Sequence, residues 1–188
     1  MNKILITGVL LTAAVQVAIP AAMLQGRERT LREGEVFRFQ SAPVDPYDAF
    51  RGRYVRLSVA SPQVPLEGEP LNFRRKQRIF ATLAIDTNGF AFVTAASRAR
   101  PETGAYVRAE AWGRSHDGRV TVRLPIDRYY MPEYEAPAAE RAYMDHARRD
   151  RESAVVVARV RNGDLVVEDV LVEGKPLRAW VAEQTDAQ

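Results

Sequence analysis

The sequence predicts a mainly β domain: an antiparallel β-meander forming a sandwich or a partly closed barrel, with one short amphipathic helix and an N-terminal transmembrane helix. Three observations carry this. Residues Ile4 to Leu24 contain no charge. Three pairs of β-prone runs are separated by Gly-containing turns. A single stretch, Pro137 to Asp150, has apolar residues at helical spacing.

The apolar segment comes first. Its roughly 21 residues, at about 1.5 Å each, reach about 30 Å, the thickness of a bilayer core. A cleaved signal peptide is the competing reading. The run is long for one, and Pro20 interrupts the small-residue pattern that a cleavage site would use. Orientation is contested. Lys3 favours a cytoplasmic N-terminus, while Arg27, Arg29 and Arg32 pull the other way. The segment divides the chain into an anchor over 1–25, a polar stalk over 26–35 and an extracytoplasmic β-rich domain over 36–188.

Glu35 to Gln40 alternates, with Phe37 and Phe39 on one side, and reads as the first strand. Arg53 to Ala60 alternates again, setting Val55, Leu57 and Val59 against Tyr54, Arg56 and Ser58. Ser61 to Pro70 holds three prolines and Gly68, so it reads as a loop and is excluded as a central strand. Leu71 to Arg78 is ambiguous between loop and helical turn. Three hairpins come next: Ile79–Asp86 with Phe90–Ser97 around Asn88-Gly89, Tyr106–Trp112 with Arg119–Leu124, and Ala154–Val160 with Leu165–Val172 around Asn162-Gly163. Between the last two, Pro137 sits near a helix start, and Ala139, Ala142, Tyr143, His146 and Ala147 make the apolar stripe.

Composition removes several classes of function. The 188-residue chain has no cysteine, which excludes disulfides, zinc–thiolate sites and thiol nucleophiles. Its net charge of +3 is spread among interleaved acids and bases, unlike the clustered footprint of a nucleic-acid binder. Of the two histidines, His116 falls in a turn and His146 on the apolar stripe, where it reads as a packing residue. Phosphate-binding loops, nucleophile elbows and dinucleotide fingerprints are missing. A serine–lysine dyad would need Lys76 or Lys175, and neither has an evident serine partner. No cofactor or metal is expected. Asp45, Asp48 and Glu133 are hard oxygen ligands, but they lack the spacing of a calcium loop.

Two polar-aromatic segments remain. The first, from Pro43 to Val59, brings Asp45, Asp48, Arg51, Tyr54 and Arg56 to the mouth of a strand. The second, Asp127 to Tyr134, contains Arg128, Tyr129 and Glu133. Tyr129 and Tyr130 would face opposite ways on a strand, so only one can join Tyr54. The competing explanation is a buried arginine–carboxylate pair ordering two crossing segments.

The run Arg51-Gly52-Arg53-Tyr54-Val55-Arg56-Leu57-Ser58-Val59 resembles the signature of the GDYXXLXY proteins. Arg128-Tyr129-Tyr130-Met131-Pro132-Glu133 and Val172-Glu173-Gly174-Lys175-Pro176-Leu177 are similar to two further blocks of that family. Arg53 stands where the family has aspartate, and Val59 where it has its last tyrosine. What persists, Gly52, Tyr54 and Leu57, suits a bend and a packed strand. The resemblance implies a bacterial membrane-anchored protein of unknown biochemical role, and no reaction.

Together these readings lead to an expectation rather than an activity. A single-pass protein of the bacterial inner membrane holds its domain toward the periplasm or cell exterior. It acts without catalysis, as a binding or accessory domain for an integral membrane protein. Small-ligand binding by the barrel, or hydrolysis by Asp45, Asp48 and Glu133, is the alternative.

Overall fold

The computed structural model describes residues 3–42, 54–67, 76–114, 118–149 and 153–186. In chain order these form α1 (Lys3–Glu33), β1 (Glu35–Gln40), β2 (Tyr54–Arg56), β3 (Gln63–Glu67), β4 (Gln77–Ile85), β5 (Ala91–Ser97), β6 (Tyr106–Arg114) and β7 (Arg119–Arg123). The chain continues through β8 (Arg128–Tyr130), α2 (Ala136–Arg149), β9 (Ala154–Arg161), β10 (Asp164–Val172), β11 (Lys175–Pro176) and α3 (Leu177–Asp186).

The strands are nested, first with last. An outer sheet has the order β1-β9-β10-β11. Inside it in sequence, β2 pairs with β8 as a two-stranded antiparallel ribbon. Inside that again, β3-β5-β4-β6-β7 close into a barrel. The ribbon is therefore the stem through which the chain enters and leaves the barrel, and Leu57 N–H donates to Asp127 C=O just beyond it. The expected hairpins are all present, as β4–β5, β6–β7 and β9–β10.

Apolar residues fill the barrel. Val64, Ile79, Ala81, Val107, Val120 and Val122 are all buried, so the closed sheet encloses a core. Register shifts at Thr82/Leu83 and Ala111/Gly113 mark bulges, which increase local twist and help the sheet curl.

Residues 63–67 correct the loop expected over Ser61–Pro70. They form β3, which closes the barrel despite Pro65. Gln63, Val64 and Pro65 pair with β7, while Leu66 and Glu67 pair in parallel with β5 on the other edge. Proline thus sits where the strand changes partners and ladder demands on its missing N–H are weakest. At the ambiguous Leu71–Arg78 stretch, Gln77 and Arg78 belong to β4, and 71–75 lie outside the described residues. The helix α3 was not expected; it comes after a tight turn in which Glu173 and Gly174 have φ of 51° and 77°.

Barrel and outer sheet meet at the β9–β10 turn. Gly163 has φ of 83°, and a Cβ there would lie 2.8 Å from the Tyr106 ring. Its carbonyl accepts from Arg108 N–H at 2.8 Å, and Arg108 also pairs with Asp164. α2 lies against β2 and uses Tyr143 to finish the ribbon. Where the ladder stops, the buried Tyr143 hydroxyl accepts from Ser58 N–H and donates to Ser58 C=O, both at 3.2 Å.

The apolar helix does not end with its apolar residues. α1 continues through Glu33, so the stalk segment 26–33 is helix, and its last turns pack on β9 and β10. Thr30 is buried there. Gly34 ends the helix with its N–H on Thr30 C=O at 2.9 Å. A Cβ on Gly34 would stand 2.3 Å from that carbonyl, 3.1 Å from the Arg159 Cβ and 3.2 Å from the Val160 nitrogen. Arg159 reaches across the joint, donating to Gly34 C=O and in a fork to both carboxylate oxygens of Glu168. Arg161 pairs with Glu33 at 2.9 Å.

This packing makes Gly34 hard to replace. Gly34→Ala should cost about 1–3 kcal/mol, the range for overpacking a tight contact, read as a lower midpoint in chemical unfolding. An unchanged midpoint would show that the helix end is not pressed onto β9.

Candidate functional site

Directly opposed pairs set the chemistry of the ribbon. Tyr54 faces Tyr130, Val55 faces Tyr129, and Arg56 faces Arg128. Because side chains alternate, Tyr54, Arg56, Arg128 and Tyr130 share one face, and Val55 and Tyr129 the other. Val55 is fully buried. On the first face the Tyr54 and Tyr130 rings meet edge-to-face at 5.9 Å, and the Arg128 guanidinium lies 5.1 Å over Tyr54. Arg128 is held above its ordinary pKa first by a hydrogen bond with Tyr130 and then by Asp127. Tyr130 nevertheless keeps 63% of its surface exposed. An aromatic pair capped by an arginine, left open to solvent, is suited to contact with another molecule.

The tyrosine that joins Tyr54 is therefore Tyr130, not the Tyr129 named from sequence. Tyr129 turns inward and donates to Asp169 at 3.0 Å. Asp169 comes directly after a bulge at Glu168, where the β9–β10 register shifts between Val167 and Asp169. That extra residue lets neighbouring carboxylates serve different partners: Glu168 holds Arg159, and Asp169 holds Tyr129. Burial, then the Asp169 charge, push the Tyr129 phenol up to about 12.

The remaining sequence-named residues divide. Asp45, Asp48 and Arg51 lie outside the described residues, as do Gly52, Arg53 and His116. Arg56 lies beside Glu140 of α2, whose carboxyl is raised by burial and lowered by Arg56. Glu133 is exposed on the turn into α2 and engaged in a polar contact. His146 is a buried, partnered residue: Nδ1 donates to Ala142 C=O at 2.8 Å, Nε2 lies 3.2 Å from Glu173, and the ring packs edge-on to Trp180. Lys175 is bound to Glu183 at 2.6 Å.

Two open hollows flank these elements. A groove of about 880 Å³ runs between α1, β8, β10 and α3 and is lined by Met23, Arg27, Thr30, Arg128, Tyr130 and Arg178, among others. Glu133 is not part of its wall. A cleft of about 1040 Å³ separates barrel from outer sheet, with Phe37, Leu83, Ile85, Arg100 and Tyr106 in its walls. The groove is the stronger candidate, because charged and aromatic side chains from separate elements converge on it beside the apolar helix. Arg27 and Arg178 escaped the sequence reading as site residues. Arg27 counted only toward the orientation of the apolar segment, Arg178 was not singled out, and both line the groove once α1 and α3 pack onto β10.

Comparison with known proteins adds one decisive observation. The family model described as GDYXXLXY protein matches residues 16–170. The chain belongs to the GDYXXLXY family. The match begins inside α1 and ends inside β10, so it spans the ribbon, the barrel and the helix–sheet joint. No curated protein and no solved structure matches the chain. Of the GDYXXLXY signature, Tyr54 builds the aromatic pair and Leu57 is buried in the core. Val59, in place of the family's last tyrosine, makes an isolated bridge to Ser41.

The raised Tyr129 pKa has a sign. The phenol's pKa is higher in the fold than the ordinary value of 10.0, so its contribution to stability is complete below pH 10 and is lost as pH climbs through about 12. Chemical unfolding of Tyr129→Phe should show a shallower loss of stability across that window than the native chain. Equal slopes would mean that the hydroxyl does not hold its proton for Asp169.

Proposed function

We propose that this GDYXXLXY protein is a membrane-anchored accessory domain of the bacterial inner membrane. It is exposed to the periplasm or cell exterior and binds an integral membrane protein without catalysis. The observation that carries this is the contrast along α1. Its apolar length is uncovered, with Val9, Leu10, Leu11 and Val17 each about two-thirds exposed, while its last turns are packed on the domain. Residues Thr7–Glu33 include a stretch long and apolar enough to cross a membrane.

Two further points support the reading. The family match includes the second half of α1, as it should if that helix stays with the mature protein. The joint at Gly34 ties the last turn of α1 to the domain through Arg159 and Arg161, so the end of the helix is fixed on the domain. The face that meets the partner is the Tyr54–Arg128–Tyr130 cluster. It stands next to the groove at the helix, within reach of another protein in the same bilayer.

Affinity purification of the full chain from detergent-solubilised membranes should recover an integral membrane protein. Arg128→Ala with Tyr130→Ala should reduce that recovery about tenfold or more, as for loss of a central aromatic–arginine contact. Undiminished recovery by the double variant would refute the ribbon face as the contact. Recovery of no membrane protein would refute the accessory role.

A further inference from the structure

Where α1 would leave the bilayer, the groove collects arginines from three elements: Arg27 from α1, Arg128 from β8 and Arg178 from α3. The carboxylates in its walls are Asp127, Asp164 and Glu168. Two of these are already neutralised from outside the groove, Asp164 by Arg108 and Glu168 by Arg159. Asp127 lies 3.6 Å from Arg128. Arg178 reaches only to 4.0 Å from Glu135, and the described residues give Arg27 no carboxylate within salt-bridge distance. The hollow therefore carries an excess of positive charge. Tyr129 and Tyr130 stand in its wall, and Met23, near the end of the uncharged run, forms its membrane-side edge.

We infer that this groove seats the phosphate of an anionic phospholipid headgroup. Guanidinium groups match phosphate oxygens in pairs. Tyrosine is favoured at the level of the headgroups. A groove bounded by the emerging helix opens at that depth, so the lipid reaches it by lateral diffusion. A headgroup site also accounts for an oddity of the sequence. Arginine directly after the apolar run opposes export of the β-rich domain, yet Arg27 is kept in the one place where a headgroup would need it.

The headgroup site rests on α1 being an anchor, and the experiment separates the two. Full-length protein in neutral detergent is titrated with short-chain phosphatidylglycerol, short-chain phosphatidylcholine or inorganic phosphate, and its thermal unfolding midpoint is followed. Phosphatidylglycerol should raise the midpoint saturably, with no shift from phosphatidylcholine. Arg27→Gln and Arg178→Gln should each raise the half-saturating concentration about fivefold, as expected for one basic residue at an anionic surface. Both variants should unfold like the native chain without lipid. An equal response to inorganic phosphate would assign the groove to a free anion, and an equal response to phosphatidylcholine would reduce it to a greasy surface. Either result overturns the lipid assignment, as does a flat titration. Carbonate washing of membranes carrying the same protein tests the anchor: retention with a flat titration refutes the headgroup site alone, whereas release refutes the anchor.

Discussion

The close approach of Gly34 to β9 is the constraint on which the arrangement depends. A helix end can meet a strand at backbone distance only where no side chain intervenes, and the next residue, Glu35, already pairs with Val160. With the backbones that close, Arg159 can hold both the Gly34 carbonyl and Glu168, and Thr30 is sealed beneath the turn. The helix is therefore packed alongside the domain rather than tethered to it. The groove between α1, β8, β10 and α3 exists because of that packing.

Nesting supplies the rest. Each early segment pairs with a late one, so the barrel hangs on the β2–β8 ribbon, and the ribbon lies against the outer sheet through Tyr129 and Asp169. Tyr143 then closes the ribbon's open end from α2. In such a stem one face must be spent on the core. Val55 and Tyr129 take that face, which leaves Tyr54, Arg128 and Tyr130 to the outside. The polar-aromatic cluster is thus a consequence of strand alternation in a two-stranded element that gives one face to the core.

Much of this was legible in the chain. Period-two alternation marked β1 and placed Phe37 and Phe39 inward, and Gly-containing turns marked the hairpins, because both signals are local. What failed was long-range. Pro65 made residues 63–67 look like loop; only closure against β7 and β5, more than twenty residues distant, makes them strand. The choice between Tyr129 and Tyr130 needed the register of β8 on β2, about seventy residues apart. Arg27 and Arg178 joined the site through helix packing that neither segment encodes by itself.

α1 and the domain form one packed unit, which, with α1 as the proposed anchor, sets the groove at the membrane surface. Because the chain has no cysteine, single spin labels can be placed at Tyr130→Cys and at Val36→Cys in full-length protein in lipid nanodiscs. From Leu24 to Glu33 α1 rises about 14 Å, which carries position 36 clear of the headgroups, while Tyr130 shares the groove with Met23. Electron paramagnetic relaxation by lipid-soluble oxygen and by a water-soluble nickel complex should then place label 130 in the headgroup layer and label 36 in water. Equal, fully aqueous relaxation at both positions would contradict the account, because the domain would then stand away from the bilayer on a free helix.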